Sequence, residues 1–82
     1  MDLASRTSKQ LGSELRRYRK KLGLTQAQLS GQINKRQATI STLESVGTGT
    51  IETLFSVLSA LDLELLVRPR SKGVRTKLGD IF

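Results

Sequence analysis

Between positions 25 and 45 the chain reads TQAQLSGQINKRQATISTLES, and in that stretch Arg36, Gln37, Ser41 and Thr42 carry donors and acceptors of the kinds that read nucleic-acid base edges. An arginine can fork onto guanine, and a glutamine can bridge N6 and N7 of adenine. Their spacing suits such a role. On a helix running from Arg36 or Gln37 to Ser45, Ile40 and Leu43 point inward, leaving Ala38, Thr39, Ser41 and Thr42 around the rest of the circumference. Few large side chains mark that outer face, so the helix can approach another surface closely. A plain helical hairpin that only packs is the competing reading, and it would seldom carry so small and polar an outer face.

A helix of this kind must be held by others. Thr25 is followed three residues later by Gln28, the spacing of a capping box, so a short helix starts there with Ala27 and Leu29 as its apolar residues. Gly31, Gln32 and Ile33 are expected to carry the chain into a turn, with Asn34 at an irregular backbone angle. Upstream, Leu11, Leu15, Tyr18 and Leu22 recur at spacings of four, three and four, one face of a helix capped by Thr7 or Ser8 and stopped by Gly23. Its other faces carry Lys9, Arg16, Arg17, Arg19, Lys20 and Lys21. These read either as a solvated face favoured by the helix dipole or, beside a base-reading helix, as phosphate contacts.

Downstream, Ser45-Val46-Gly47-Thr48-Gly49 is a loop by composition, and Thr50 with Glu52 opens a fourth helix. Ile51, Leu54, Phe55, Val57, Leu58 and Leu61 give it an apolar stripe broader than one partner face needs, so part closes the core and part is available to a second subunit. Asp62 marks its end. Leu63, Leu65 and Val67 then alternate with Glu64, Leu66 and Arg68 up to Pro69, which fits a strand better than an extension of the fourth helix. A lone strand exposes an apolar edge, and pairing with the same strand of a second copy through Leu63, Leu65, Leu66 and Val67 removes it.

The chain is 82 residues long, enough for one small domain with a marginal core, and the domain gains from dimerisation. Fourteen lysines and arginines against seven acidic residues give a net charge of +7, which favours a polyanionic partner. Cysteine and histidine are both absent, which removes disulfides, zinc-finger ligands, thiol nucleophiles and the commonest general base. The carboxylates are scattered without dyad or metal-ligand spacing. Neither an enzyme nor a cofactor is expected. With no signal-like or spanning apolar stretch, a cytoplasmic protein without a membrane partner is expected.

Thr25-Gln26, Leu29, Ile33, the run Gln37-Ala38-Thr39-Ile40-Ser41 and Leu43-Glu44 resemble the helix-turn-helix of the lambda/434-repressor (Xre) superfamily over residues 8 to 62. QATIS in the recognition helix, followed by TLFSVLSALDLEL, is similar to the HipB-type antitoxins, partners of HipA-type kinase toxins. The resemblance implies a mainly α, four- to five-helix lambda-repressor-like domain, with one C-terminal β-strand pairing across a homodimer. It implies that Arg36, Gln37, Ala38, Ser41 and Thr42 face the bases, Ala38 against a thymine methyl. Gln26 matches a position that holds a DNA phosphate, at a helix N-terminus that adds its own N–H groups. Lys9, Arg16, Arg17 and Lys35 are the further phosphate candidates. Glu44 matches a frequently acidic position, where a structural hydrogen-bonding role is expected.

The organisation expected is an N-terminal arm over 1–7, a DNA-binding and dimerisation domain over 8–68 and a basic tail over 69–82. In the tail, Leu78, Ile81 and Phe82 are apolar anchors that either dock into a partner or idle, and the resemblance favours contact with a HipA-like toxin kinase. The partners so implied are double-stranded DNA with an inverted-repeat operator, a second copy of the chain and that kinase. Two other readings share these residues: a stand-alone phage-type repressor, and an adaptor that binds RNA or the transcription or translation machinery.

Overall fold

The computed structural model describes residues 4–70, which form four helices: α1 (Ser8–Lys21), α2 (Gln26–Ile33), α3 (Gln37–Val46) and α4 (Ile51–Ala60). Three begin under a threonine. Thr7 Oγ1 accepts from the Gln10 N–H at 3.1 Å and Thr50 Oγ1 from the Thr53 N–H at 3.0 Å. At α2 the cap is reciprocal: Thr25 Oγ1 accepts from the Gln28 N–H at 3.0 Å, and Gln28 Oε1 accepts from the Thr25 N–H at 2.8 Å. Each bond satisfies an amide that the helix itself leaves without a partner. α1 closes at Leu22 just ahead of Gly23, which takes a positive φ of 75°, as its spacing predicted.

α2 runs three residues further than its composition suggested. Gly31, Gln32 and Ile33 are helical, and the turn falls on Asn34-Lys35-Arg36. Asn34 is left-handed at φ 57°, ψ 46°, the irregular position expected of it. Ala27 is exposed and Ser30 takes its place inside, its hydroxyl donating to the Ala27 carbonyl at 2.9 Å. The hydroxyl is satisfied within its own turn, so burial costs it little.

The core is Leu15, Leu29, Ile40, Leu43, Val57, Leu58 and Leu61, with Leu11, Tyr18, Leu24, Ile33, Leu54, Ala60 and Leu63 packed around it. One residue from every helix is therefore fully enclosed, and α3 is held from behind by α1 and α2. Gly12 sets the α1–α3 distance: a Cβ there would run into the Leu43 carbonyl oxygen and lie 2.8 Å from that of Glu44. Backbone, unlike a side-chain tip, cannot swing aside. Gly12→Ala is expected to destabilise the domain by about 1–3 kcal/mol, seen as a lower melting temperature by circular dichroism. Gly47, at φ 77°, ends α3 and lies so close to the Ser8 backbone that no side chain fits.

α4 stops at Ala60, and Asp62 takes a positive φ of 60°, so no helix extends through Leu63 to Val67. Nor is there a strand or a fifth helix among the described residues: 63–70 carry no regular structure. A strand needs a neighbour for its N–H and C=O groups, and the described residues supply none here. Leu63 is instead tied back to α4, its N–H donating to the Leu58 carbonyl at 2.8 Å, and it packs on the core. Among the described residues, no helix is long and apolar enough to cross a membrane.

Candidate nucleic-acid interface

α3 is amphipathic in an unusual sense: one side is core and the other is small and polar. Ile40, Leu43 and Glu44 are buried, whereas Gln37, Ala38, Ser41, Thr42 and Ser45 are exposed. At about 100° per residue, Ala38, Ser41, Thr42 and Ser45 cluster opposite Ile40 and Leu43, with Gln37 on the flank beside Glu44. Ser45 joins this face although its chemistry was not singled out in the sequence. Its hydroxyl donates to the Ser41 carbonyl at 2.8 Å, so it is already occupied. Arg36 is the N-cap residue, exposed and with no side-chain cap bond, which leaves its guanidinium at the leading end of the helix. The five expected base-reading residues therefore lie together on one solvent-facing surface.

Behind that surface sits a charged assembly that sequence reasoning only half found. Glu44 was expected to be structural, and it is 4% exposed. Arg19, expected among the solvated cations of α1, is 6% exposed. Its Nε donates to Glu44 Oε2 at 2.6 Å and its Nη2 to Glu44 Oε1 at 2.9 Å, a two-point fork between α1 and α3. Its Nη1 donates to the Leu24 carbonyl at 2.7 Å. The hydrogen bond to Glu44 raises the Arg19 pKa further above the ordinary arginine value, outweighing the opposing effect of burial. The signal was present: Arg19 lies four residues after Leu15 and seven after Gly12, on the inward stripe.

The five phosphate candidates divide. Gln26 is half-buried at the first position of α2, its Nε2 donating to Glu44 Oε1 at 3.1 Å. Lys9 and Arg16 are exposed and bracket Gly12, three residues before it and four after, so they flank the edge of α1 that lies against α3. Arg17 lies further round the helix and is engaged: its Nη2 meets Glu14 Oε1 at 2.7 Å, and its guanidinium stands 4.9 Å from the centre of the Tyr18 ring. Lys35, in the turn between α2 and α3, reaches Glu52 only at 4.0 Å, a loose surface pair with little hold on it. The structure thus brings Gln26, Lys35, Lys9 and Arg16 around the α2–α3 unit and diverts Arg17.

Of the expected dimerisation residues, Leu65, Leu66 and Val67 are exposed, Val67 at 87%, while Leu63 is largely used by its own core. On α4, Ile51 and Phe55 share one face and are 72% and 50% exposed, the part of the stripe left over from core packing. The proposed tail anchors Leu78, Ile81 and Phe82 lie outside the described residues.

A family model described as a helix-turn-helix domain matches residues 10–66. Among solved structures, a chain of a complex between a HipB variant and an O2 20mer is 30% identical, with a TM-score of 0.77, over 83% of this chain and 96% of that one. A chain of a HipB-O4 20mer complex is 29% identical over 82% of this chain and 96% of its own, with a TM-score of 0.75. A chain of a HipA-HipB-O2-O3 complex gives the same identity, coverage and score. A comparison with curated protein sequences returned no match.

Proposed function

Because the chain belongs to the helix-turn-helix family of DNA-binding domains, and within it to the HipB type, we propose that it is a dimeric, sequence-specific repressor. We propose further that it serves as antitoxin and autorepressor of an operon encoding a HipA-like kinase. The observation that carries the DNA reading is α3, a helix clamped from behind with Gln37, Ala38, Ser41 and Thr42 exposed on one face and Arg36 at its tip. Each subunit lays this face in a major groove. Gln37 and Arg36 read purine edges, Ala38 meets a thymine methyl, and Ser41 and Thr42 supply hydroxyls. Gln26, Lys9, Arg16 and Lys35 hold the flanking phosphates and set the register.

Dimerisation follows from what the subunit leaves uncovered. Leu65, Leu66 and Val67, with Ile51 and Phe55, are large apolar side chains that the subunit leaves exposed. Pairing residues 63–68 with their counterpart in a second copy covers it and completes the backbone hydrogen bonds. The resulting two-fold axis places two recognition helices about 34–36 Å apart, or a multiple of it, on an inverted-repeat operator. The tail over 69–82, through Leu78, Ile81 and Phe82, is assigned to the kinase, in keeping with the HipA-HipB complex among the similar structures.

A footprint on the DNA upstream of the protein's own gene tests the repressor reading. Two protected half-sites one helical turn apart are expected, and uniform protection would sink it. Gln37→Ala is expected to weaken operator binding by about 1–3 kcal/mol and to relax discrimination at one base pair per half-site, leaving non-specific DNA affinity unchanged. Competition binding against a panel of single-base operator variants reads both. Co-purification of a neighbouring kinase-like gene product with the full chain, and its loss on truncation after Arg70, tests the antitoxin assignment.

A further inference from the structure

A buried ion pair such as Arg19–Glu44 is weak evidence of a need in packing. Matched apolar side chains commonly fill such a place equally well or better. Its hydrogen bonds, however, converge on the start of α2. The guanidinium holds the Leu24 carbonyl, one residue before the Thr25 cap, and Glu44 Oε1 holds Gln26 Nε2 one residue after it. One cation from α1 and one carboxylate from α3 thereby grip both sides of the step that opens α2.

An ionised carboxylate only accepts hydrogen bonds, so it decides which end of the Gln26 amide turns inward. The nitrogen does, and the carbonyl oxygen is kept away from Glu44. One amide hydrogen is committed to Glu44 and the second remains. Beside it stand the N–H groups of Gln26 and Ala27, which have no partner within the helix, that of Gln28 being taken by the Thr25 cap.

We propose that Arg19 and Glu44 are positioning residues for DNA binding: they preset the Gln26 amide and the first turn of α2 as a donor set for one phosphate, in fixed relation to the reading face of α3. This rests on Gln26 being a phosphate contact. An untethered glutamine must be ordered on binding, whereas a tethered one has met that entropic cost during folding. The same fork joins α1, α2 and α3, so a phosphate seated at Gln26 sets the depth and angle at which α3 meets the groove.

The test compares three forms of the full chain with the wild type on the operator: Gln26→Ala, the paired replacement of Arg19→Met with Glu44→Leu, and all three substitutions together. The paired replacement leaves net charge unchanged and avoids stranding one buried ion, so the domain folds, as melting followed by circular dichroism will verify. Ethylation interference is expected to vanish at one phosphate per half-site in both Gln26→Ala and the paired replacement. The other phosphates stay sensitive. Affinity is expected to fall roughly ten- to a hundredfold in each, with the triple variant no weaker than the paired one. A paired replacement that shifts only the melting temperature, or losses that multiply in the triple variant, overturns the positioning role. Gln26→Ala with undiminished affinity and an unchanged interference pattern overturns it at its premise, since that phosphate contact is then absent. A wild-type chain that yields no footprint removes the DNA reading itself.

Discussion

Truncating Glu44 to alanine is expected to cost about 3–5 kcal/mol of folding stability, the range for removing one member of a buried ion pair. The reason is what remains. Arg19, 6% exposed, keeps only the Leu24 carbonyl and has two of its three engaged nitrogens facing a cavity. It has no neutral form to retreat to, because an arginine stays protonated throughout the accessible pH range. In a domain this small each kcal/mol corresponds to about 4–8 °C in melting temperature, so thermal unfolding should shift by tens of degrees. Replacing both partners with Met and Leu should recover most of that loss. A double-mutant cycle read by thermal and urea denaturation isolates the coupling, and near-additive single effects would show that the fork contributes little.

The sign of the pH dependence follows from the same pair. A cation whose folded pKa is raised contributes stability that is complete below its unfolded value and is lost only as pH climbs through the folded one. For Arg19 that window lies above any pH at which the domain operates, so the arginine adds no slope to the stability profile between neutral and mildly alkaline pH.

Much of this fold was legible residue by residue, because its decisive signals are local. Thr25 with Gln28, Thr50 with Glu52, Gly23 and Asn34 each declare a helix boundary through a side chain or a backbone angle that has few other uses. Ile40 and Leu43 name the inward face of α3 by spacing, and the outward face follows. Arg19 was harder to place, since RRYRKK offers five cations and composition does not tell them apart. Only its register against Leu15 and Gly12 does, and burying it required a carboxylate 25 residues away. The end of α2 was misplaced for a related reason: Gly31 reads as a breaker, but Leu29 and Ile33 pack on either side of it and tertiary contact overrides propensity. The segment 63–68 is the opposite case, an alternating pattern that takes up no regular structure among the described residues.

DNA affinity is expected to fall by about 10³–10⁴ between 50 and 200 mM salt, the consequence of releasing roughly six to eight counterions per dimer. The sequence offered a larger set of cations than the structure leaves available. Arg19 is consumed internally and Arg17 is held by Glu14, so of the cations placed at the α2–α3 unit Lys9, Arg16, Lys35 and Arg36 remain, three to four effective charges per subunit. The magnitude therefore sits in the lower part of what a protein making six to ten phosphate contacts loses. The division among arginines sharpens the prediction. Arg16→Gln should flatten the plot of log affinity against log salt by about two units per dimer, one for each subunit, and weaken all sequences alike. Arg17→Gln, one residue away, should change the slope far less, because its charge is already partly neutralised within α1. Binding measured by fluorescence anisotropy over a salt series separates the two. Equal slopes for both variants would place Arg17 at the phosphates after all, with Glu14 released on binding. A wild-type slope near zero would remove the groove-docked arrangement altogether, since no duplex is held by these residues without displacing its counterions.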